Sequence, residues 1–230
     1  MRVLGRRPLP PSRPFLVLLV LAGVAAAWAQ SGIAELEVTA YGRQRIDLAS
    51  GRTVLEDGGE LVERGSGVRL AAAWIAYLEG IEVSAREASI DGDLGLVDAP
   101  LVVIDLVAGW LTASGGVAWQ REGLQVTGET LWFDDAAGIV GLLGGVEAIE
   151  PAAAAAEVWI ELANGRVLLV GPYLYAEGPL VLRGGEDAGL QLDANDTGDG
   201  VAYDASTAVD ADLLAAVAAA RVAREAASEE

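Results

Sequence analysis

The apolar and polar positions of the chain recur with a fixed period. A phrase made of one large apolar residue, usually an acidic residue, a few small or apolar residues and a closing Gly occupies 46–51, 75–80, 104–109, 133–138 and 160–165. The closing glycines stand at 51, 80, 109, 138 and 165, in steps of 29, 29, 29 and 27 residues. A period of this length is typical of stacked supersecondary units. The pattern therefore predicts a repeat protein.

Each repeat is predicted to consist of two or three short strands. β-Branched and aromatic residues flank every phrase, and Gly closes it where a hairpin turn would need a positive φ. A second glycine mark follows, as Gly-Gly-Val at 115–117 and 144–146 and as Gly-Pro-Tyr at 171–173. Recurrent Gly and β-branched residues disfavour helix. Because 101–104 and 167–170 are wholly apolar, we expect strands buried on both faces, in a sandwich or closed roll.

The first 29 residues are predicted to be a secretory signal peptide. Arginines at 2, 6, 7 and 13 accompany an apolar segment at 15–27, and Ala27-Trp28-Ala29 offers a small-x-small cleavage site. This apolar segment is shorter than the roughly 20 residues that a spanning helix needs. We prefer cleavage and export to the periplasm, and the alternative is an uncleaved anchor in the inner membrane.

Composition excludes several classes of function. The chain has 34 acidic and 15 basic residues, and removing the four signal arginines leaves 11 − 34, about −23, which argues against a nucleic-acid partner. It has no Cys and no His, so disulfides, the commonest general base and the usual zinc ligands are missing. A column of carboxylates in the phrases is interpreted as turn residues bonding their own backbone, at Asp47, Asp105, Asp134 and Glu161. A glycosidase would need two carboxyl groups in a cleft. We predict no enzyme and no cofactor.

The C-terminal 37 residues change character. After a β-repeat domain at 30–193, we predict an acidic linker at 194–205 and an Ala-rich helix with an acidic tail at 206–230, capped by Ser206 or Asp210. Potential Ca²⁺ ligands occur at loop-like spacing, at Asp193, Asn195, Thr197 and Asp204. Position 12 of this loop is Asp instead of Glu and position 8 is Gly, so a solvated linker is the preferred interpretation and no metal site is predicted.

The repeats resemble a known family. The stretch 126–134, continuing to Gly-Gly-Val-Glu-Ala at 144–148, is similar to the periplasmic lipopolysaccharide-transport proteins of the LptA and LptC type, the OstA-like β-jellyroll family. The likeness covers about 33–192. It implies an all-β, antiparallel β-jellyroll, an open V-shaped roll of two facing sheets, to which the composition adds a short C-terminal α-helix. Such domains stack end to end across the periplasm, and acyl chains slide along their interior.

The resemblance implies a function and partners. The chain would be a non-enzymatic periplasmic carrier or bridge in outer-membrane biogenesis that binds acyl chains of lipopolysaccharide or a related envelope lipid. Homologous domains of inner- and outer-membrane transport components would be its partners, with a head-to-tail homo-oligomer as a further option. The apolar column of the phrases, with the valines after the paired glycines, is predicted to face the interior and bind lipid: Ile46, Ile75, Ile104, Val117, Phe133, Val146 and Ile160. Alternation sends Trp74, Trp132 and Trp159 to the opposite face. The alternative function is a structural envelope scaffold with a dry core.

Overall fold

In a computed structural model the described residues are 36–64, 67–121, 124–149, 151–196 and 201–228. The predicted signal peptide lies outside them. These residues form sixteen strands and one helix, with the following bounds: β1 (Leu36–Ala40), β2 (Gln44–Ile46), β3 (Thr53–Leu55), β4 (Gly59–Glu63), β5 (Arg69–Leu78), β6 (Glu82–Gly92), β7 (Gly95–Asp105), β8 (Trp110–Arg121), β9 (Leu124–Asp134), β10 (Ile139–Ala148), β11 (Ala152–Glu161), β12 (Arg166–Val170), β13 (Tyr173–Glu177), β14 (Leu180–Gly184), β15 (Gly189–Asp196), β16 (Val201–Ser206) and α1 (Ala211–Ala227).

All strands belong to one antiparallel, open sheet. Its main order is β1-β4-β5-β6-β7-β8-β9-β10-β11-β12-β15-β16, with β2 and β3 beside β5 and with β13 and β14 beside β11. Most neighbours are consecutive hairpins. The five closing glycines all have positive φ, between 62° and 76°, which matches the turns expected from the repeat. The prediction of an open, antiparallel all-β fold with one C-terminal helix is confirmed.

The long strands bend midway and divide the sheet into two facing halves. In β8 the bend is Gly115-Gly116, with φ of 91° and 95°, and in β10 it is Gly144-Gly145, with φ of 83° and 70°. The pairing register shifts at both places, as expected of bulges that turn a strand. We call the half that contains β2, β3, β12, β15 and β16 the upper half. The half that contains β1, β4, β13 and β14 is the lower half.

The bend runs as a line across neighbouring strands. A Cβ built on Gly115 would lie 3.2 Å from Pro100, and one on Gly144 would lie 2.7 Å from Glu129. Between β12 and β13 the line passes through Gly171, where a Cβ would lie 2.7 Å from Ala156. Glycine is therefore needed where the backbone turns towards the side chain of the next strand. This explains the second glycine mark of the third, fourth and fifth repeats.

Both faces of the upper half are apolar and each belongs to its own cluster. Within β10, Val140 and Leu142 point inward to a core shared with the lower half. Ile139 and Leu143 point outward, where they join Trp132, Trp159 and Leu168. Helix α1 covers this outer cluster with three buried side chains: Leu213, Val217 and Ala220. The apolar runs of the sequence thus correspond to strands packed on two sides.

The predicted acidic linker at 194–205 needs correction. Residues 194–196 end β15 and 201–205 lie in β16, and Asp193 pairs with Asp204 across this hairpin. The apolar residues of the hairpin alternate with the acidic ones, since Leu192, Tyr203 and Ala205 pack on the inner core. The linker was predicted from the acidic composition, which concealed the alternation of apolar and polar residues that is typical of a strand. The helix begins at Ala211 after Asp210, one of the two predicted caps, whose side chain makes no capping hydrogen bond.

Candidate functional site

A groove of about 880 Å³ opens between the two halves on the side opposite the bend. One rim consists of the upper turns at 105–109 and 135–138 with Leu162 and Ala163. The other consists of lower-half residues near Glu63, Val68, 92–96 and Arg121. Its volume lies at the upper end of the range of small-molecule sites, about 300–1,000 Å³. The groove can hold an elongated ligand.

The walls of the groove are aliphatic and aromatic. In the upper half one cross-strand row supplies Val83, Ile104, Leu111 and Phe133, each paired with the next. The facing wall of the lower half is equally apolar: Leu36, Leu61, Leu70, Ile90, Leu94 and Leu96. These lower-wall residues lie outside the recurring phrase, so the sequence analysis missed them. For Ile90, the signal that could have identified it is the period-two alternation of residues 88–91.

The groove is closed at the C-terminal end of the sheet. There Tyr173 and Tyr175 of the lower half are buried in the inner core, together with Leu190 and Leu192 of the upper half. The cavity found at this end measures only about 30 Å³. Burial and a hydrogen bond to Glu177 raise the pKa of Tyr175, so its hydroxyl stays protonated. The interior is therefore open around β4 to β9 and filled from β10 onward.

The seven predicted lipid-binding residues fall into three groups. Ile104 and Phe133 line the groove. Ile75, Val117, Val146 and Ile160 are buried in the inner core, with exposures of 0%, 2%, 1% and 5%. Ile46 is 56% exposed on the short edge strand β2. All belong to the same face of the sheet, but lipid binding by these residues stays a prediction.

The second phrase is displaced from the other copies along its strand. Thr53 of β3 pairs with Tyr77, and Tyr77 pairs with Val83, which pairs with Ile104. Tyr77 therefore occupies the row of Ile104 and Phe133, and Ile75 lies two residues deeper. The period of 29 residues describes spacing along the chain, whereas the register depends on the lengths of individual turns.

The acidic residues of the turns do what the sequence analysis expected in three of four copies. Asp47, Asp105 and Asp134 each accept hydrogen bonds from backbone N–H groups two or three residues later, at 2.7–2.9 Å. Glu161 instead accepts from Arg166 at 2.7 Å and from Asn164 at 2.8 Å. These carboxylates stabilise turns, an arrangement unlike a catalytic pair in a cleft.

Asp135 differs from these carboxylates and was not predicted as a site residue. It lies in the groove wall and is 6% exposed. Neither carboxylate oxygen has a hydrogen-bond partner in the described part of the chain. Burial, reinforced by the adjacent charge of Asp134, raises the pKa of Asp135 to about 6. The sequence does distinguish this residue. Asp135 is the third residue of its phrase, and the third residue is apolar in the other phrases.

The candidate Ca²⁺ loop is not assembled as a loop around one point. Asn195 donates a hydrogen bond to Asp204 at 2.6 Å, and Asp193 accepts from Gln191. Thr197 lies outside the described residues. Across the described ranges there is no group of three or more acidic, His or Cys side chains placed to hold a metal ion. No helix within those ranges is long and apolar enough to cross a membrane.

Comparison with known proteins gives similarity to solved structures. No family model and no curated protein matches the chain. Among solved structures it is similar to LptH, the LptA-homologous periplasmic component of the conserved lipopolysaccharide transport device of Pseudomonas aeruginosa. The identity is 12% and the TM-score 0.27, over 65% of this chain and 93% of that one. The values are too low to assign a ligand, so the assignment of the groove depends on its own geometry.

Proposed function

We propose that the chain is a non-enzymatic periplasmic lipid carrier or bridge, which holds the acyl chains of lipopolysaccharide or a related envelope lipid in the groove. The observation that carries this proposal is the groove itself, open along one side and walled by aliphatic and aromatic side chains from both halves. Burying an acyl chain there would contribute roughly 0.8 kcal/mol per CH₂. An open side lets a chain enter laterally while its polar head stays in water.

The alternative is a structural scaffold with a dry core. At the filled end of the roll the cavity is only about 30 Å³. A scaffold with a dry core would need such packing along the whole interior. Around β4 to β9, however, the groove separates the rims of the two halves, and Ile104 and Phe133 have only part of their surface buried. An apolar wall of this kind favours a ligand over a scaffold.

The proposal includes assembly with similar domains. The sheet is open, so β1 and β2 at one end and β14 and β16 at the other carry backbone groups that face no further strand among the described residues. Such edges pair with strands of other domains. Head-to-tail stacking would join grooves into a longer path, with either a second copy or homologous domains at the two membranes.

The proposal is tested by photo-crosslinking in the producing cells. A photoreactive residue replaces Ile104 or Phe133 in the groove wall, and adducts are identified by mass spectrometry after extraction. Leu101 serves as the matched control, because it lies on the same strand as Ile104, three residues away, but is 41% exposed and lies outside the groove lining. We expect lipid adducts at Ile104 and Phe133 and none at Leu101.

Two results would contradict the carrier function. Folded protein without a lipid adduct at either groove position would favour the dry scaffold. Equal adducts at all three positions would indicate nonspecific contact with membrane instead of a bound chain. The adduct also identifies the lipid, since its mass includes the head group and the chain.

A further inference from the structure

One carboxylate interrupts an otherwise apolar series in the recurring phrase. The third residue of the recurring phrase is Leu48, Tyr77, Leu106, Asp135 and Leu162 in the five copies. Asp135 is the only charged residue in this series. The turn that contains it is already capped, because Asp134 accepts the hydrogen bond from the Ala137 N–H at 2.9 Å. The Asp135 carboxylate therefore does not supply the hydrogen bond that stabilises this turn.

The backbone shows that three of these positions, those of the third, fourth and fifth copies, are structurally equivalent. The N–H of Leu106 donates to Ile81 of the preceding turn at 2.8 Å, that of Asp135 to Gly109 at 3.0 Å, and that of Leu162 to Gly138 at 3.0 Å. Leu106, Asp135 and Leu162 all line the groove. Leu is therefore the side chain that this site accommodates in the two adjacent repeats. The Asp is not required by the local backbone geometry.

In the described part of the chain, Asp135 has no counter-charge in its surroundings. Both oxygens are buried and unpaired within the described residues, a costly arrangement for a carboxylate. The residue belongs to the groove lining. A cationic donor that reaches it there would supply the missing partner.

The charge of the groove rim indicates which head group fits. Glu63, Asp93 and Asp105 line the same groove as Asp135, against a single arginine, Arg121. A phosphate would meet four carboxylates and one guanidinium. An ammonium group would be attracted by the same four and would form a charge-assisted hydrogen bond with Asp135.

We propose that Asp135 anchors the polar head of the groove ligand and that this head is an ammonium group, so that the preferred ligand is a cationic or zwitterionic amino lipid. This inference rests on the proposed function, because the groove must first bind the chain. It refines the ligand class, since it selects against lipids whose head at the rim is a phosphate alone.

The test compares amphiphiles that share one chain and differ in head group. Dodecylamine, dodecanol and dodecyl phosphate are titrated calorimetrically into protein expressed from the full chain, the two ionic amphiphiles below their critical micelle concentrations and dodecanol below its solubility limit. About 0.15 M salt screens attraction by distant charges. We expect dodecylamine to bind at least roughly tenfold more tightly than dodecyl phosphate, the smallest effect expected of a hydrogen bond to a charged group.

Two variants distinguish the effect of Asp135 on amine binding from the effect of the overall negative charge. Asp135→Leu installs the residue of the adjacent repeats and should weaken dodecylamine binding roughly tenfold or more, while dodecanol binding is unchanged. Asp93→Asn removes one exposed, solvent-screened charge from the same groove and should weaken amine binding by less than about threefold, so that the preference for the amine remains. Circular dichroism verifies that both variants are folded.

Each outcome has a distinct meaning. A preference for the amine that Asp135→Leu removes and Asp93→Asn keeps supports the proposal. A preference that survives Asp135→Leu overturns it and assigns the attraction to diffuse charge. Equal binding of the three amphiphiles overturns the anchor but leaves the carrier function standing. No binding of any amphiphile overturns both.

Discussion

The two faces of the upper half carry similar apolar side chains but differ in what covers them. On the outer face, Trp159 and Leu168 lie under α1 and are almost completely buried. On the inner face, Ile104 and Phe133 face a groove that the lower half does not fill. One apolar face is thus satisfied within the chain, whereas part of the other is left for a ligand. Apolar content alone does not distinguish a core from a binding surface.

The largest expected effect is the loss of a side chain from the covered face. Trp159→Ala should lower the free energy of unfolding by about 3–5 kcal/mol, because it leaves a cavity between α1 and the sheet. Phe133→Ala on the groove side should cost only about 1–2 kcal/mol, since part of that ring is not packed against protein. Urea unfolding of the two variants measures the difference. A cost for Phe133→Ala equal to that for Trp159→Ala would mean that the groove wall is packed as a core.

The helix offers a matched pair for the same comparison. Leu213 is fully buried against the sheet and Leu214 is 48% exposed. We expect Leu213→Ala to cost about 2–4 kcal/mol and Leu214→Ala less than about 1 kcal/mol, again by urea unfolding. Similar small costs for both would show that α1 does not stay docked in solution.

On the groove side, removing a charge should stabilise the protein. The pKa of Asp135 is raised from 3.8 to about 6, so the folded state favours the protonated carboxyl. The resulting penalty is absent below pH 3.8, grows as the pH rises through about 6 and is constant above that. Asp135→Leu should therefore raise the free energy of unfolding by on the order of 1–3 kcal/mol at pH 7.5 and by much less at pH 4.

The measurement is urea unfolding of the wild-type protein and of Asp135→Leu at pH 4, 5, 6 and 7.5. Asp93→Asn is the control, because it removes an exposed carboxylate from the lining of the same groove. A stability difference between Asp135→Leu and wild type that does not change with pH would show that the buried carboxylate carries no penalty.

Much of the fold follows from the sequence, because each repeat specifies local geometry. The glycines at 51, 80, 109, 138 and 165 mark turns that need positive φ, and Gly115-Gly116 and Gly144-Gly145 mark the bend. Local sequence does not specify how deeply a residue lies in the interior, since this depends on the pairing register. Ile75 and Ile104 occupy the same place in the phrase but different rows of the sheet. The groove depends on how far apart the two halves stand, which no local pattern encodes.

The smallest expected effect concerns the ion pair that helps to hold α1 on the covered face. The Arg221 guanidinium lies 2.6 Å from the Glu157 carboxylate and 5.6 Å from the centre of the Trp159 ring. Burial alone would raise the pKa of Glu157, but hydrogen bonds from Trp159 and Arg221 outweigh burial and lower it. Because Arg221 is partly exposed, Arg221→Gln should cost only about 0.5–1 kcal/mol.

High salt distinguishes this contact from the apolar packing beneath it. The difference between Arg221→Gln and wild type in urea unfolding should shrink between 0.05 M and 1 M NaCl, because salt screens a partly exposed pair. Arg224→Gln removes the same charge from the same helix at a residue that acts on Glu157 through its charge but forms no ion pair among the described side chains, so its effect should be smaller. If Arg224→Gln cost as much as Arg221→Gln, the helix would be attracted to the acidic sheet as a whole. Docking of α1 on the covered face would then depend on apolar contacts and on net charge, without a specific ion pair.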